Sequence, residues 1–520
     1  MLIDARSVPE NETIETDVCI AGAGIAGITL AREFIDREFR VCLLESGGLG
    51  PDRATQSLYW GENVGYPYYP LDTHGARAFG GTSHRWHVEI GYHRFGVRLR
   101  PLDPIDFEER DWVPHSGWPF SKAHLDPFYE RAHAVCQIGP YRYDVGDWED
   151  SEESRRLPLM SGPVETTIFQ FGPRDPFYGE YREQIDQARN LTTYLHANVV
   201  EVETTDTGRA ATCLRVACLE GNRFSVEAKL FILAIGGIET PRVLLLSNKT
   251  QSGGLGNQHD LVGRFFMEHP HLWSGVYVPS DPDMFNSTGL YRVHSVDGVP
   301  IMGKLALAEE VLRRERLLSY CVSIHPVTRP QRERHQRGVP QAGISDLLAA
   351  AYGRIKREYE ETLARFRSPK VEVFRLNHMS EQAPNPNSRV TLAAERDVLG
   401  CRRAQLDWQM SPLDVRTIIR AQEIISAELQ RSGLGHLQID LHDDTPIPAG
   451  IVGGYHQMGT TRMHTDPKQG VVDQNCRVHG VSNLFIAGSS VFPTVGYANP
   501  VLTLVALAVR LADHIEELMI

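Results

Sequence analysis

The chain has 520 residues, 42% of them hydrophobic, with 53 Lys and Arg against 66 Asp and Glu and a formal net charge of -13. A chain of this length buries a large core and divides into two or more domains, while its acidic balance excludes the clustered surplus of Lys and Arg that a nucleic-acid surface needs. No stretch approaches the ~18 uninterrupted apolar residues of a membrane span, and the opening MLIDARSVPENETIETD has neither the basic start nor the apolar run of a secretory leader. A cytoplasmic protein with no membrane and no nucleic-acid partner is therefore expected. Eight cysteines, Cys19, Cys42 and Cys476 among them, are scattered without CxxC pairing. They predict buried free thiols rather than a zinc, redox or disulfide framework.

In chain order, the first forty-odd residues read as a βαβ unit. TDVCIAGAG is an apolar strand running into glycines, AGITLAREFI has helical periodicity, and RVCLLESGG is a second strand. From about 100 to 185 the chain is rich in Pro, Tyr and Trp, and the acidic run of Asp147, Glu149, Asp150, Glu152 and Glu153 predicts a solvated face. LTTYLHANVVEVETTD and KLFILAIGGIETPRVLLLSN restore strand and helix patterns. Residues 273–445 then alternate β-rich segments with helices such as Pro412 to Leu429, which predicts an inserted second domain. Within it, Arg329 to Gly338 (RPQRERHQRG) lacks apolar periodicity and predicts a surface loop, with a lid as the alternative. The last segment, NLFIAGSSVFPTVGYANPVLTLVALAVRLADHI, predicts a strand, a loop and a long buried helix. No internal repeat is evident.

Gly22, Gly24 and Gly27 form a GxGxxG between that first strand and helix, the context in which the pattern carries meaning. The first glycine permits the tight turn, the second lets backbone approach a pyrophosphate, and the third allows close helix packing. The helix N-terminus supplies N–H donors and a favourable dipole. Glu45, 23 residues after Gly22 at the end of the second strand, suits a ribose hydroxyl and would repel a 2′-phosphate, so FAD or NAD fits and NADP does not.

Further segments resemble the glucose-methanol-choline (GMC) oxidoreductases, at spacings that cover nearly the whole chain. RAFGGTSHRW resembles the family's flavin-contacting loop, GGIETPRVLLLSN and DLVGRFFMEHPH resemble two segments that hold its FAD domain together, and EQAPNPNSRVTL (Glu381 to Leu392) resembles a turn and strand of its substrate domain. YHQMGTTRM and FPTVGYANP place His456 and Asn499 where the family has its catalytic pair, and NLFIAGSS resembles its flavin-binding strand and turn. The resemblance implies an α/β, GMC-type two-domain fold. A Rossmann-like FAD-binding domain would comprise 1–95, 190–272 and 446–520, and a substrate domain on a mainly antiparallel sheet with helices would comprise 96–189 and 273–445. It also implies FAD contacts from Gly22, Gly24, Ile25, Ala26, Gly27, Glu45 and Ser46; from Gly80, Gly81, Thr82, Ser83 and Trp86; from Val199 and Ala234; and from Ala487, Gly488, Ser489, Asn499 and Pro500. No metal is expected.

Oxidation of a secondary alcohol removes a hydroxyl proton and a hydride from the same carbon, so a base must stand beside the oxygen. Imidazole, with an ordinary pKa of about 6.5, suits that task and makes His456 the expected base. Asn499 cannot titrate; its amide N–H is expected to meet the substrate oxygen as alkoxide character develops. The His and Asn version followed by proline resembles pyranose 2-oxidases, choline oxidases and bacterial C-glycoside 3-oxidases, which implies a sugar or glycoside substrate and oxygen or another electron acceptor. Covalent flavin attachment in some of these uses a GGxSxHW register. Here Arg85 takes the linking position, His84 falls one residue early and His87 lies beyond Trp86, which favours non-covalent FAD. Aromatic residues in Tyr59 to Tyr69 and Trp112 to Trp118 could stack on a sugar or aglycone, with packing the competing role. A family dehydrogenase using a quinone or protein acceptor, an FAD-retaining lyase and a non-enzymatic FAD-binding protein remain alternatives, and an oligomer is left open.

Overall fold

The computed structural model describes residues 1–91, 93–160, 162–281, 284, 288–328, 371–439, 441 and 450–520. The short apolar runs VCIA, VCLL, LFIL and LFI become the strands Val18–Ala21, Val41–Leu44, Leu230–Leu233 and Leu484–Ile486. With Leu2–Asp4 and Leu191–Leu195 they form a six-stranded sheet whose pairings are all parallel. Continuous apolar strands of this kind need cover on both faces. Among the helices that share their core are α1 (Ile25–Glu33), α2 (Lys122–Val135), α3 (Gly236–Leu246) and the C-terminal α5 (Val501–Met519), which packs on α1 and α2. A smaller sheet joins the antiparallel strands Asn198–Thr204, Ala211–Ala217 and Arg223–Glu227 to Thr13–Glu15.

The second large sheet is antiparallel. Its strands run in the order Gly435–Gln438, His271–Pro279, Val371–Ser380, Tyr320–Thr328, Val299–Leu307, Val164–Pro173, Phe95–Leu99 and Val88–Glu89, with His294–Val296 on a branch. The amphipathic helix α4 (Pro412–Arg431) packs beside it, started by a capping box between Ser411 and Asp414. This is the mixed α/β architecture expected, with one parallel and one antiparallel sheet. A fourth, small sheet pairs Arg389–Arg396 and Arg402–Asp407 with Glu62–Asn63.

Two placements bear on the expected segmentation. Within 96–189, assigned whole to the substrate domain, α2 buries Leu125, Tyr129, Ala132 and Val135 in the core of the parallel sheet, and Tyr181 and Ile185 join them. Conversely, Val88–Glu89 pairs into the antiparallel sheet, and the strand Phe95–Leu99 straddles the 95/96 boundary. Composition shows that a helix has an apolar face, not which of two sheets that face will cover. All eight cysteines are free, seven buried and Cys401 half-buried. Asp147, Asp150 and Glu152 are exposed, as a solvated face requires. Arg329 to Gly338 lies outside the described residues. No described helix is long and apolar enough to cross a membrane.

Candidate active site

Four neighbouring strands of the parallel sheet end at one place: Ala21 leads into Gly22, Leu44 into Glu45, Leu233 into Ala234 and Ile486 into Ala487. The carboxyl edge of a parallel sheet is where such folds place their ligands. Gly22 has φ +102°, and a Cβ there would stand 2.5 Å from the Ala234 carbonyl oxygen. A Cβ on Gly27 would lie 1.8 Å from the Gly22 carbonyl oxygen, so helix and turn cross at a distance only glycine permits. Gly24 opens toward the cavity with no atom within 4 Å of its Cβ position. The loop after Phe79 seats Gly81 on this turn, its Cβ position 2.8 Å from Gly24 Cα.

Glu45 is buried and accepts hydrogen bonds from the backbone N–H groups of Ala23 at 2.9 Å and Gly47 at 2.8 Å. Burial pushes its carboxyl above the usual range, against the pull of those bonds. Replacing Glu45 with Ala leaves both N–H groups unpaired and removes a charged acceptor from the cavity wall. Flavin retention after gel filtration, read as the ratio of flavin to protein absorbance, is expected to drop, with affinity lower by about 10- to 100-fold.

A cavity of ≈ 1580 Å³ runs from this turn to His456 and Asn499. Its wall includes Gly22, Gly24, Ile25, Ala26, Glu45 and Ser46 at one end, and Gly81, Thr82, Trp86, Val199, Ala234, Ala487, Gly488, Ser489 and Pro500 along its length. Three of the expected contacts do not line it. Gly27 packs against Gly22, Ser83 is buried with its hydroxyl donating to the Gly80 carbonyl at 2.8 Å, and Gly80 supplies the left-handed turn (φ +102°) that makes this bond. Their part is to shape the wall. The size of the cavity, its glycine-cleared turn and the helix start beside it fit a dinucleotide, and the long branch toward His456 leaves room for a flavin ring and a substrate.

At the far end, Asn499 Nδ2 lies 2.9 Å from His456 Nε2, and His456 Nδ1 lies 2.8 Å from Nδ1 of the fully buried His269. His269 Nε2 faces the carbonyl oxygens of Gly496 at 2.9 Å and Val495 at 3.3 Å. The Asn499 amide N–H, expected to point at substrate, is thus directed at the histidine, while Asn499 Oδ1 is buried without a protein partner. A buried acceptor left open in a cavity wall is what a ligand hydroxyl would satisfy.

The loop carrying His456 is held by Glu268. One of its carboxylate oxygens accepts from the backbone N–H groups of Gly454 and His456, both at 2.9 Å, and of His269 at 3.1 Å; the other accepts from the Tyr68 hydroxyl. Burial pushes this carboxyl up to about 7, while the four donors draw it back toward the ionised form that accepts them all. The EQAPNPNSRVTL turn braces the same segment: Gln382 Oε1 accepts from the Glu268 N–H at 2.9 Å, and Glu381 pairs with Arg110 at 2.6 and 2.9 Å. Glu268, His269 and His271, all in the cluster around His456, come from DLVGRFFMEHPH, a segment read from sequence only as a structural tie. Three polar residues within four positions of an apolar stretch were the available signal.

Burial holds the His456 imidazole well below its ordinary value, reinforced by His269, His271, Arg98 and Lys304. A base works in its deprotonated form, so a lowered pKa moves the acid limb of the rate profile to lower pH. The anaerobic rate of flavin reduction is expected to stay level as pH falls through 6.5; a limb centred above 6.5 would contradict this. Around the cavity mouth, Tyr69 and Tyr455 stack at 4.2 Å and 14°, and Tyr455 and Trp273 are 43% and 42% exposed, so aromatic side chains border the opening. Tyr66 and Tyr68 also line the cavity. Trp112 and Trp118 do not: their indole N–H groups donate to the Leu317 carbonyl and to Thr494 Oγ1, and they serve packing.

Residues 384–508 match the family model described as GMC oxidoreductase. The fructose dehydrogenase large subunit of Gluconobacter japonicus is 24% identical, over 97% of this chain and 98% of its own. C-glycoside 3-oxidase of Microbacterium trichothecenolyticum is 28% identical over 63% of this chain and 54% of its own. Among solved structures, pyridoxine 4-oxidase from Mesorbium loti superposes with a TM-score of 0.56 at 18% identity, covering 96% of this chain and 99% of that one. Residues 384–508 thus carry a GMC oxidoreductase region, and the rest of the chain shares the fold of the superposed oxidase. The protein is a flavoprotein, and FAD is its cofactor.

Proposed function

We propose that this protein oxidises a secondary alcohol on a sugar or glycoside to a ketone, carbon 3 of a C-glycoside being the first candidate, with His456 as the base. The observation that carries this reading is the 2.9 Å approach of His456 Nε2 and Asn499 Nδ2 in the wall of a cavity that begins at the Gly22 turn. As the hydroxyl enters, it displaces the Asn499 N–H from His456 Nε2; Nε2 takes the hydroxyl proton, the freed N–H meets the oxygen, and the carbon hydrogen departs as hydride. When bound, FAD supplies the hydride acceptor, held at its adenosine end by the Gly22 turn and Glu45. Glu268 fixes the backbone of the base, and the walls keep bulk water from the neutral imidazole.

The aromatic side chains at the cavity wall, Trp273 and the Tyr69–Tyr455 pair, support a ring-shaped substrate, because sugar C–H faces and flat aglycones pack on such side chains. FAD is held without a covalent bond: Arg85 stands at the linking position, and His84 Nε2 is engaged by the Phe79 carbonyl at 2.8 Å. Eight unpaired cysteines support a reducing, cytoplasmic setting. Oxygen is the favoured acceptor. Full-length similarity to a fructose dehydrogenase large subunit supports a second reading, a sugar dehydrogenase with another acceptor.

The test is a panel of O-glycosides, C-glycosides and free sugars mixed anaerobically with the yellow protein. Flavin bleaching by a C-glycoside is the expected result, and peroxide formation in air against reduction of an artificial acceptor separates oxidase from dehydrogenase. A flavin that no sugar or glycoside in the panel bleaches overturns the proposed substrate class.

A further inference from the structure

The chain of contacts behind His456 decides where its proton sits. His269 is fully buried, and its Nε2 faces two carbonyl oxygens, Gly496 at 2.9 Å and Val495 at 3.3 Å. A carbonyl oxygen only accepts, so Nε2 of His269 must carry hydrogen; a bare nitrogen would set its lone pair against two others. The ring itself is neutral, because burial lowers its pKa to about 4. A neutral imidazole carries one N–H, so His269 Nδ1 is bare. Its partner at 2.8 Å, His456 Nδ1, must then be the donor, which leaves His456 Nε2 bare, on the side of Asn499 and the cavity. The 2.9 Å contact with the Asn499 amide nitrogen, a donor, agrees with this assignment from the opposite end.

We infer that His269 is a positioning residue that holds His456 in the Nδ1–H tautomer, with its lone pair on Nε2, and thereby makes it a base toward the substrate hydroxyl. This rests on the proposed role of His456. The histidine side chain in water favours the opposite tautomer, so the arrangement needs an acceptor behind the ring. Carboxylates do this in many enzymes, and here a second imidazole, itself oriented by the backbone of the loop that carries Asn499, takes the place. The Gly496 carbonyl cannot keep a proton, so the chain ends there: His269 orients His456 and does not relay its proton onward.

Two measurements test it. In holoenzyme with 15N-labelled histidine, the ring signals lost in His456→Ala should show a protonated Nδ1 and a bare Nε2 in the wild type. In anaerobic mixing, His269→Leu, which offers no acceptor, should slow flavin reduction by about 100-fold or more and move its signals to the Nε2–H form. His269→Asn can donate from Nδ2 to Gly496 and accept at Oδ1 from His456, and should stay within about 10-fold of wild type. A wild-type His456 found as the Nε2–H tautomer overturns the inference, as does a flavin-loaded His269→Leu with unchanged rate and pH profile. Should His269→Leu not fold, the wild-type signals and His269→Asn still decide. Undiminished reduction in His456→Ala would instead overturn the role of the base, whatever the tautomer proves to be.

Discussion

Replacement of His456 with Ala is expected to leave a folded, yellow protein whose flavin is reduced by substrate at least 100-fold more slowly, and up to about 10⁴-fold, the range over which loss of a positioned general base is felt. The flavin should remain, because the Gly22 turn, Glu45, Gly81, Val199 and Ala487 to Ser489 line the cavity independently of this side chain. The fold should remain because Glu268 holds the loop through the backbone N–H of residue 456, which alanine keeps. What is lost is the acceptor at Nε2, together with the partner of His269 Nδ1, whose desolvation costs about 1–3 kcal/mol. Stopped-flow mixing under nitrogen gives the rate, and the flavin spectrum before mixing confirms loading. A reduction rate within a few-fold of wild type would remove His456 from the chemistry.

The second large effect lies at the opposite end of the cavity. Gly27→Ala is expected to abolish FAD binding and to lower the melting temperature by several degrees, whereas Gly24→Ala should fold normally and bind FAD more weakly. At Gly27 the added Cβ would sit 1.8 Å from the Gly22 carbonyl oxygen and 3.0 Å from its carbon, both backbone atoms of a turn pinned by the Gly22 N–H to the Leu44 carbonyl at 2.7 Å. Neither atom can swing aside, so helix α1 must move off the sheet, and overpacking of this kind costs about 1–3 kcal/mol or more. At Gly24 the Cβ meets no protein atom within 4 Å and projects where a phosphate would come close. Flavin content and thermal melts of the two variants check the contrast; equal behaviour would mean that the third glycine has no packing role.

The parts of this architecture that reside in contiguous residues were legible from sequence. The strand, glycine turn and helix from Val18 to Glu33 follow from apolar runs and punctuation, and HQMGT and YANP announced His456 and Asn499 as motifs. What could not be read were contacts between segments far apart in the chain. His269 and His456 are 187 positions apart, and nothing local in FFMEHPH tells a structural histidine from one that touches a reactive ring. The direction of the Asn499 amide depends on the proton on His456, and so on His269, a dependence no spacing rule encodes. Helix α2 was grouped with the substrate domain by its place in the chain, while its packing partner α5 lies some 370 residues downstream. Gly80 and Ser83 were expected as contacts from the resemblance of RAFGGTSHRW to a flavin-contacting loop, whereas Gly81 and Thr82 line the cavity and the Ser83 hydroxyl turns back to the Gly80 carbonyl.

The edge strand Leu484–Ile486 and helix α5 complete a sheet whose other strands all lie before residue 234, and both proposed reacting side chains belong to the last 65 residues. A ribosome that has reached residue 483 has therefore produced the Gly22 turn without the part of the cavity wall formed by Ala487 to Ser489, Asn499 and Pro500. A nascent chain stalled before Leu484 lacks this edge strand and helix α5 and should emerge colourless however much flavin surrounds it.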